Sequence, residues 1–342
     1  GDGESFAPGA PSKCDYSIIP LGIQFEQESF LTVIKDVQNN WGGEAIPNDF
    51  DLLLTGNDMV HDAGINYKSG NNPTIVTGVE YTVSEPTQPA GYSLSGIDCR
   101  DDSDDSVVGA GGVFTPADNQ AITCTVTNSD IAPTITLLKS LPNDDGGTAV
   151  ADDFQASIDG GIGDVDWGVA TEIPVGDYQA SETGLPGYQA SPWGIDCADD
   201  GSFSIALDED LTCNITNDDI APTLTLSKVV VNNDGGGASQ DDFQAYIDGG
   251  PVDWDVANAV AAGAHTASED EGIGYTNEGW SGDCNQDGSI LMALDTDYNC
   301  EITNDDIPSD PVPGLNTWAA ILMVLALLAT GWYFRPAFRR HS

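Results

Sequence analysis

Ile135-Thr-Leu-Leu-Lys139, Asn143-Asp-Asp-Gly-Gly147, Asp153-Phe154-Gln155-Ala156 and Ile215-Thr-Asn-Asp-Asp-Ile220 occur in that order in the middle of the chain. They return as Leu224-Thr-Leu-Ser-Lys228, Asn232-Asn-Asp-Gly-Gly236, Asp242-Phe243-Gln244-Ala245 and Ile302-Thr-Asn-Asp-Asp-Ile307. Self-similarity at such a period marks a structural repeat. Each copy opens on an alternating apolar/polar run and soon meets an Asn/Asp-Gly turn, the pattern of strands joined by tight turns. A third, divergent copy precedes them. Leu31 to Lys35 is its opening strand, Asn39 to Gly43 its turn, and Asp49-Phe50, Ser84-Glu85, Gly91-Tyr92 and Val126-Thr-Asn128 follow. Its extra length falls in two stretches, 56–72 and 100–112, expected to be surface loops.

Repeats of this size with a turn signal every 8–12 residues predict an all-β chain of three tandem seven-strand antiparallel β-sandwich modules. The expected boundaries are an N-terminal segment 1–29, repeats 30–131, 132–220 and 221–307, a Pro-rich linker 308–317, an apolar span 318–334 and a basic tail 335–342. The linkers Ile131-Ala-Pro-Thr134 and Ile220-Ala-Pro-Thr223 are short and stiffened by proline, so a semi-rigid rod is expected. Gly1 opens the sequence without a signal-peptide pattern, as in a mature, trimmed or partial chain.

The 342 residues hold 56 Asp and Glu against 9 Lys and Arg, a formal net charge of −47. Such a surface repels phosphate backbones and argues against nucleic acid as a partner. Forty per cent of residues are hydrophobic, too many for a disordered acidic chain. Six of the seven cysteines fall in pairs at matching repeat positions, Cys99 and Cys124, Cys197 and Cys213, Cys284 and Cys300. In an exported protein these read as disulfides. Cys14 is left over.

The C-terminus is tripartite. A Pro-rich spacer leads to Trp318, an uncharged apolar run to Phe334 follows, and Arg335, Arg339 and Arg340 close it. The run has the length of a short transmembrane helix, with the basic end cytoplasmic and everything upstream outside. With Val312-Pro313-Gly314-Leu315 ahead of the Trp, this tail resembles the IPTL-CTERM sorting signals, relatives of the PEP-CTERM signals of Gram-negative bacteria. Pro313, Leu315 and Trp318 match that pattern, while Gly314 stands where the family has Thr. The resemblance implies an exosortase-type sorting enzyme and the inner membrane as partners, and an exported envelope or extracellular location.

Lysine is rare, yet Lys35, Lys139 and Lys228 share one repeat position, each on the apolar side of its alternating strand. An unpaired buried ammonium is costly. Glu85, Glu182 and Glu269 recur on a middle strand, and Asn128, Asn217 and Asn304 on the closing strand. This order of Lys, Glu and Asn resembles the CnaB-type, prealbumin-like modules of bacterial surface adhesins and pilins, over residues 30–307. The resemblance implies three autocatalytic isopeptide trios, Lys35/Glu85/Asn128, Lys139/Glu182/Asn217 and Lys228/Glu269/Asn304. An unreacted buried Lys–Glu pair bonded to the Asn is the alternative.

Calcium is the one cofactor the composition suggests. The acids Asp98, Asp101, Asp102, Asp104 and Asp105 form one candidate site. The Asn143-Asp-Asp-Gly-Gly turn and its copies are either hairpin turns or a second. Trp41, Trp167, Trp193, Trp254 and Trp280 are either core packing or sugar-stacking platforms. No P-loop, nucleophile elbow or HExxH pattern occurs. The expected function is a structural or adhesive stalk at the cell surface, not an enzyme. The alternatives are a module binding a surface polysaccharide, a protein ligand or calcium, and an accessory region of a larger secreted enzyme.

Overall fold

The computed structural model describes residues 28–308 and 321–326. Those from 28 to 308 are strands, turns and three short 3-10 segments, Pro47–Asp49, Ala151–Asp153 and Gln240–Asp242. Each repeat is two facing sheets. In the first, the larger sheet runs in the order Thr74–Val76, Glu28–Gln38, Ala121–Asp130, Tyr92–Asp101, Val107–Ala110. The smaller runs Ile65–Tyr67, Asp51–Gly56, Tyr81–Thr87, Val113–Phe114. The third repeat keeps both orders without the fifth strand.

Two expectations need correction. The repeats carry eight or nine short strands rather than seven, because two- to four-residue edge segments pair at the rims. They are also not wholly antiparallel. The opening and closing strands of a repeat lie side by side in parallel, Lys35 opposite Val126 and Lys228 opposite Ile302. Parallel neighbours need a long connection between them, and here the rest of the module is that connection.

Alternation along these strands fills the core. Leu31, Val33, Ile122, Cys124 and Val126 pack with Leu52, Leu54, Tyr81 and Val83 of the facing sheet. Leu224, Leu226, Cys300 and Ile302 pack likewise with Ala245, Ala267, Ile290 and Met292. The six paired cysteines form the three expected disulfides. Cys99 and Cys124 are direct cross-strand partners.

The chain divides into two compact units, Gly1–Thr136 with Ala170–Tyr178 and Ser202–Thr212, and Leu137–Val169 with Gln179–Gly201 and Cys213–Ser342. The division runs through the second repeat, because the junctions between repeats are bonded. In the first unit Val175 N donates to Trp41 O (2.9 Å) and Asp208 N to Ile131 O (3.2 Å). In the second, Ala262 N donates to Asp145 O (2.7 Å) and Asp295 N to Ile220 O (2.9 Å). The two junctions are therefore copies of one contact. Each is made by the Gly-Gly turn of one repeat, and Gly42 and Gly146 take positive φ there (92° and 90°). A Cβ on Gly42 would lie 2.7 Å from a Val175 methyl, and one on Gly146 2.4 Å from the Ala262 carbonyl.

A buried carboxylate shapes that turn. Asp130 accepts from the backbone N–H groups of Asn40 (2.9 Å), Trp41 (2.7 Å) and Gly43 (3.1 Å). Asp219 does the same for Asp144, Asp145 and Gly147, and Asp306 for Asn233, Asp234 and Gly236. The Tyr92 hydroxyl donates to Asn39 Oδ1 (2.6 Å) and accepts from Ala45 N (3.0 Å), and Tyr188 and Tyr275 repeat the pattern. Successive N–H groups converging on one anion form a nest. Burial alone would raise the Asp306 carboxyl, yet the N–H groups of Gly236, Asp234 and Asn233 hold it below the ordinary carboxylate value.

The expected span 318–334 lies mostly outside the described residues, which show helix only over 321–326. Among the described residues no helix is long and apolar enough to cross a membrane.

Removing the carboxylate at Asp130 leaves three N–H groups without their acceptor. Asp130→Ala is expected to cost about 2 kcal/mol locally. Amide exchange at Asn40, Trp41 and Gly43 should then quicken on the order of 30-fold, read by hydrogen-exchange mass spectrometry, with the peptides of the third repeat unchanged.

Candidate functional site: the buried Lys–Glu–Asn trios

The parallel register sets Lys35 opposite Val126. Asn128, two residues further along the closing strand, shares the same inward face. The antiparallel partner of Asp51–Gly56 brings Glu85 in from the other sheet. The three expected residues therefore meet. Lys35 Nζ is 2.5 Å from Asn128 Oδ1 and 3.1 Å from Glu85 Oε2. Asn128 Nδ2 donates to Glu85 Oε1 at 2.6 Å. The Lys35 and Glu85 side chains are both fully buried. One carboxylate thus bridges an amine and the amide nitrogen beside it.

The other two trios assemble with a different pairing. Lys139 bonds directly to Glu182, and Lys228 to Glu269 at 2.5 Å. Asn217 and Asn304 are buried beside them, their Oδ1 atoms unpaired, as are Glu182 Oε1 and Glu269 Oε1. A cavity of about 300 Å³ opens onto Glu269 and Asn304 in the third repeat. Burial lowers all three lysine pKa values, opposed by the bond and charge of the glutamate. Each amine is thereby moved toward its nucleophilic, neutral form.

Sequence reasoning missed the lid. Phe50, Phe154 and Phe243 lie 4.3, 4.1 and 4.2 Å from the three lysine nitrogens. Trp167 and Trp254 add a second face at 5.2 and 5.8 Å. The recurrent Asp-Phe and Val-Asp-Trp steps were the available signal. These tryptophans are not surface platforms for sugars. Their indole N–H groups donate to the Phe154 and Phe243 carbonyls, and they stack on Trp193 and Trp280.

The acidic stretches divide in two. In 98–105, Arg100 reaches back to Asp98 (2.7 Å) and to the Asp105 carbonyl (3.0 Å). Asp101 is occupied by Ser103 and Gln120, so the cluster carries its own cation. Asp102 and Asp104 are exposed. Asp144, Asp145 and Asp219 gather three carboxylates, but Asp219 spends its oxygens on the turn. An acidic cluster is present; it is not in itself a calcium site.

A further group escaped the sequence entirely. In the first insertion, Asp58 accepts from Tyr81 OH, from the backbone N–H groups of Val60 (2.8 Å) and His61 (2.5 Å), and pairs with the His61 ring (2.9 Å). The far nitrogen of His61 meets Tyr67 OH at 3.2 Å.

Models of prealbumin-like fold domains of the SpaA type match residues 36–130, and again 130–215 and 219–302. The chain belongs to this family. No curated protein matches it. Among solved structures, the SpaA-type chain is similar to the TIE protein of Bacillus anthracis (15% identity, TM-score 0.47, 82% of this chain and 51% of that one). It is similar also to a C-terminal fragment of the pilus adhesin SpaC from Lactobacillus rhamnosus GG (16%, 0.30, 84% and 100%). The major pilin from Streptococcus pyogenes is a third (12%, 0.23, 56% and 98%). The chain spans about half the length of the B. anthracis protein. All of these TM-scores lie below 0.5, and the family assignment rests on the domain models alone.

Burial pushes the Asp58 carboxyl up, but the bonds from Tyr81, His61 and Val60 outweigh it and hold the pKa at about 2. A carboxyl depressed in the folded state stabilises it above the unfolded pKa of about 4 and loses that contribution as pH falls toward the folded value. The protection of the amides in 57–62 against exchange, measured between pH 4 and 2 and corrected for the intrinsic rate, should therefore fall as Asp58 protonates. Asp58→Asn should remove that step.

Proposed function

We propose that the chain is a structural or adhesive stalk protein of the cell surface whose SpaA-type repeats are locked by autocatalytic Lys–Asn amides. The observation that carries this reading is the Glu85 carboxylate bridging the Lys35 amine and the Asn128 amide nitrogen inside a closed core. Glu85 takes a proton from Lys35, the neutral Nζ attacks the Asn128 carboxamide carbon, and the tetrahedral centre collapses. The same carboxyl returns that proton to the departing Nδ2 and takes the second proton from Nζ, so it ends protonated. The Asn C–N bond breaks as the Lys–Asn amide forms, and ammonia leaves. Each trio reacts once, so this is maturation rather than enzymatic turnover.

In the second and third repeats the lysine sits on the glutamate. For these repeats to react, the buried lysine must turn from the glutamate toward Asn217 or Asn304, whose Oδ1 atoms have no partner. The surface assignment draws on the family, the three disulfides, which suit an oxidising compartment, and the basic end of the tail. Export, handling by an exosortase-type enzyme and anchoring in a Gram-negative envelope belong to the same proposal.

Intact-mass measurement tests it. Each crosslink removes ammonia, about 17 Da, beyond the hydrogens lost to disulfides. Three deficits are expected in the mature chain. Glu85→Gln should restore one, and Glu182→Gln and Glu269→Gln one each. A chain with its disulfides and no further deficit would sink the crosslink.

A further inference from the structure

The end face that receives the preceding repeat's turn is covered in the second and third repeats. Val175 N and Ala262 N donate to the turn carbonyls. Leu207 and Leu294 rest against Gly91 and Gly187 of the repeat before, where a Cβ would come within 2.5 and 2.8 Å of the leucine side chain. The first repeat has the same face with different occupants. The position of Val175 is Gly78, whose N–H donates inward to Pro116 O of its own repeat (2.9 Å). The position of Leu207, just before a residue with φ near +55° to +61°, is Asp118, followed by Asn119. This face is therefore closed to another turn of the same kind.

The first insertion rises on it. Met59 is fully exposed and Val60 is 64% exposed, while His61 between them and the sheet is buried. The Asp58 and His61 bonds hold the two aliphatic side chains outward. Beneath them lies a cavity of about 560 Å³ lined in part by Asn57, Asp62, Val76 and Val79. A neighbouring recess of about 460 Å³ adds Glu80. No Lys, Arg or aromatic side chain lines either one. Preorganised aliphatic groups around a cavity with an acidic rim suit a protein segment that brings apolar anchors and positive charge. They do not suit a sugar ring, which favours an aromatic face.

We propose that this end face of the first repeat, built from loop 56–62 and the segment 76–80, is a binding face that takes a basic, apolar-anchored peptide segment of a partner protein. The proposal rests on the stalk reading for its biological place, but binding is measured on the isolated chain. Loss of the crosslinks would leave the binding face standing, and absence of binding would leave the stalk reading standing.

The probe is a fluorescein-labelled decapeptide of alternating Lys and Leu, with an equally charged Lys/Ser peptide to gauge charge alone, at physiological ionic strength. The full chain should bind the Lys/Leu peptide roughly tenfold or more tightly than the Lys/Ser peptide. The double variant Met59→Asp, Val60→Asp changes only exposed side chains and should abolish that difference. Ile273→Asp, at a fully exposed residue of the third repeat, should leave it intact. Equal binding of both peptides, retention in the Met59/Val60 variant, or loss in the Ile273 variant would each overturn the proposal. A spin label on Cys14 that broadens the Met59 methyl signal in the free chain would also overturn it, because the chain's own N-terminal segment would then be the occupant.

Discussion

Everything in these repeats depends on the parallel pairing of the first strand with the last. That pairing closes the larger sheet around residues far apart in sequence, Leu31 with Ile122 and Leu224 with Tyr298. It aligns the lysine of one strand with the asparagine two residues along the other. It also means that each repeat is entered at one end and left at the opposite end. The next opening strand therefore starts beside the Gly-Gly turn of the repeat before it, which is how one junction contact comes to be made twice.

A lysine inside such a sheet is an energetic liability that its surroundings offset. Glutamate supplies the countercharge, phenylalanine a face for the ammonium, and asparagine a carbonyl. The first repeat gives the asparagine oxygen its lysine partner, whereas the other two leave that oxygen bare, and in each repeat one glutamate oxygen has no hydrogen bond. A buried, unpaired carbonyl oxygen costs free energy. That cost is met at Asn217 and Asn304 and not at Asn128, whose carbonyl oxygen accepts from Lys35.

The sequence reading reached the module class, the three disulfides and the trios because each rests on periodicity. Alternation puts Lys35, Glu85 and Asn128 on inward faces whatever the sheet order. What stayed hidden depends on partners that periodicity does not encode. Asp219 and Asp306, the second Asp of each Asn-Asp-Asp-Ile close, read as solvated charge because their partners are backbone N–H groups seventy or more residues away. The parallel register was invisible for the same reason, since alternation is identical in parallel and antiparallel strands. Asp58 and His61, which meet Tyr81, sit in an insertion with no second copy to compare.

The closing strand carries three attachments in a fixed order: a disulfide at Cys124, Cys213 or Cys300, then the asparagine of the trio, then the aspartate that holds the turn. Their partners differ, and so do their mechanical roles. The disulfide ties the closing strand to the segment before it, Cys99, Cys197 or Cys284, and adds no covalent link to the opening strand. Tension applied along a stalk enters a repeat at its opening strand and leaves at its closing strand. Backbone hydrogen bonds pair those two strands, and the proposed Lys–Asn amide would add the covalent bond between them that the disulfides do not supply. With that bond in place, force passes from one strand to the other without unfolding the rest of the module. The short linker after the closing strand, Ile131-Ala-Pro-Thr134 or Ile220-Ala-Pro-Thr223, then delivers it to the next repeat.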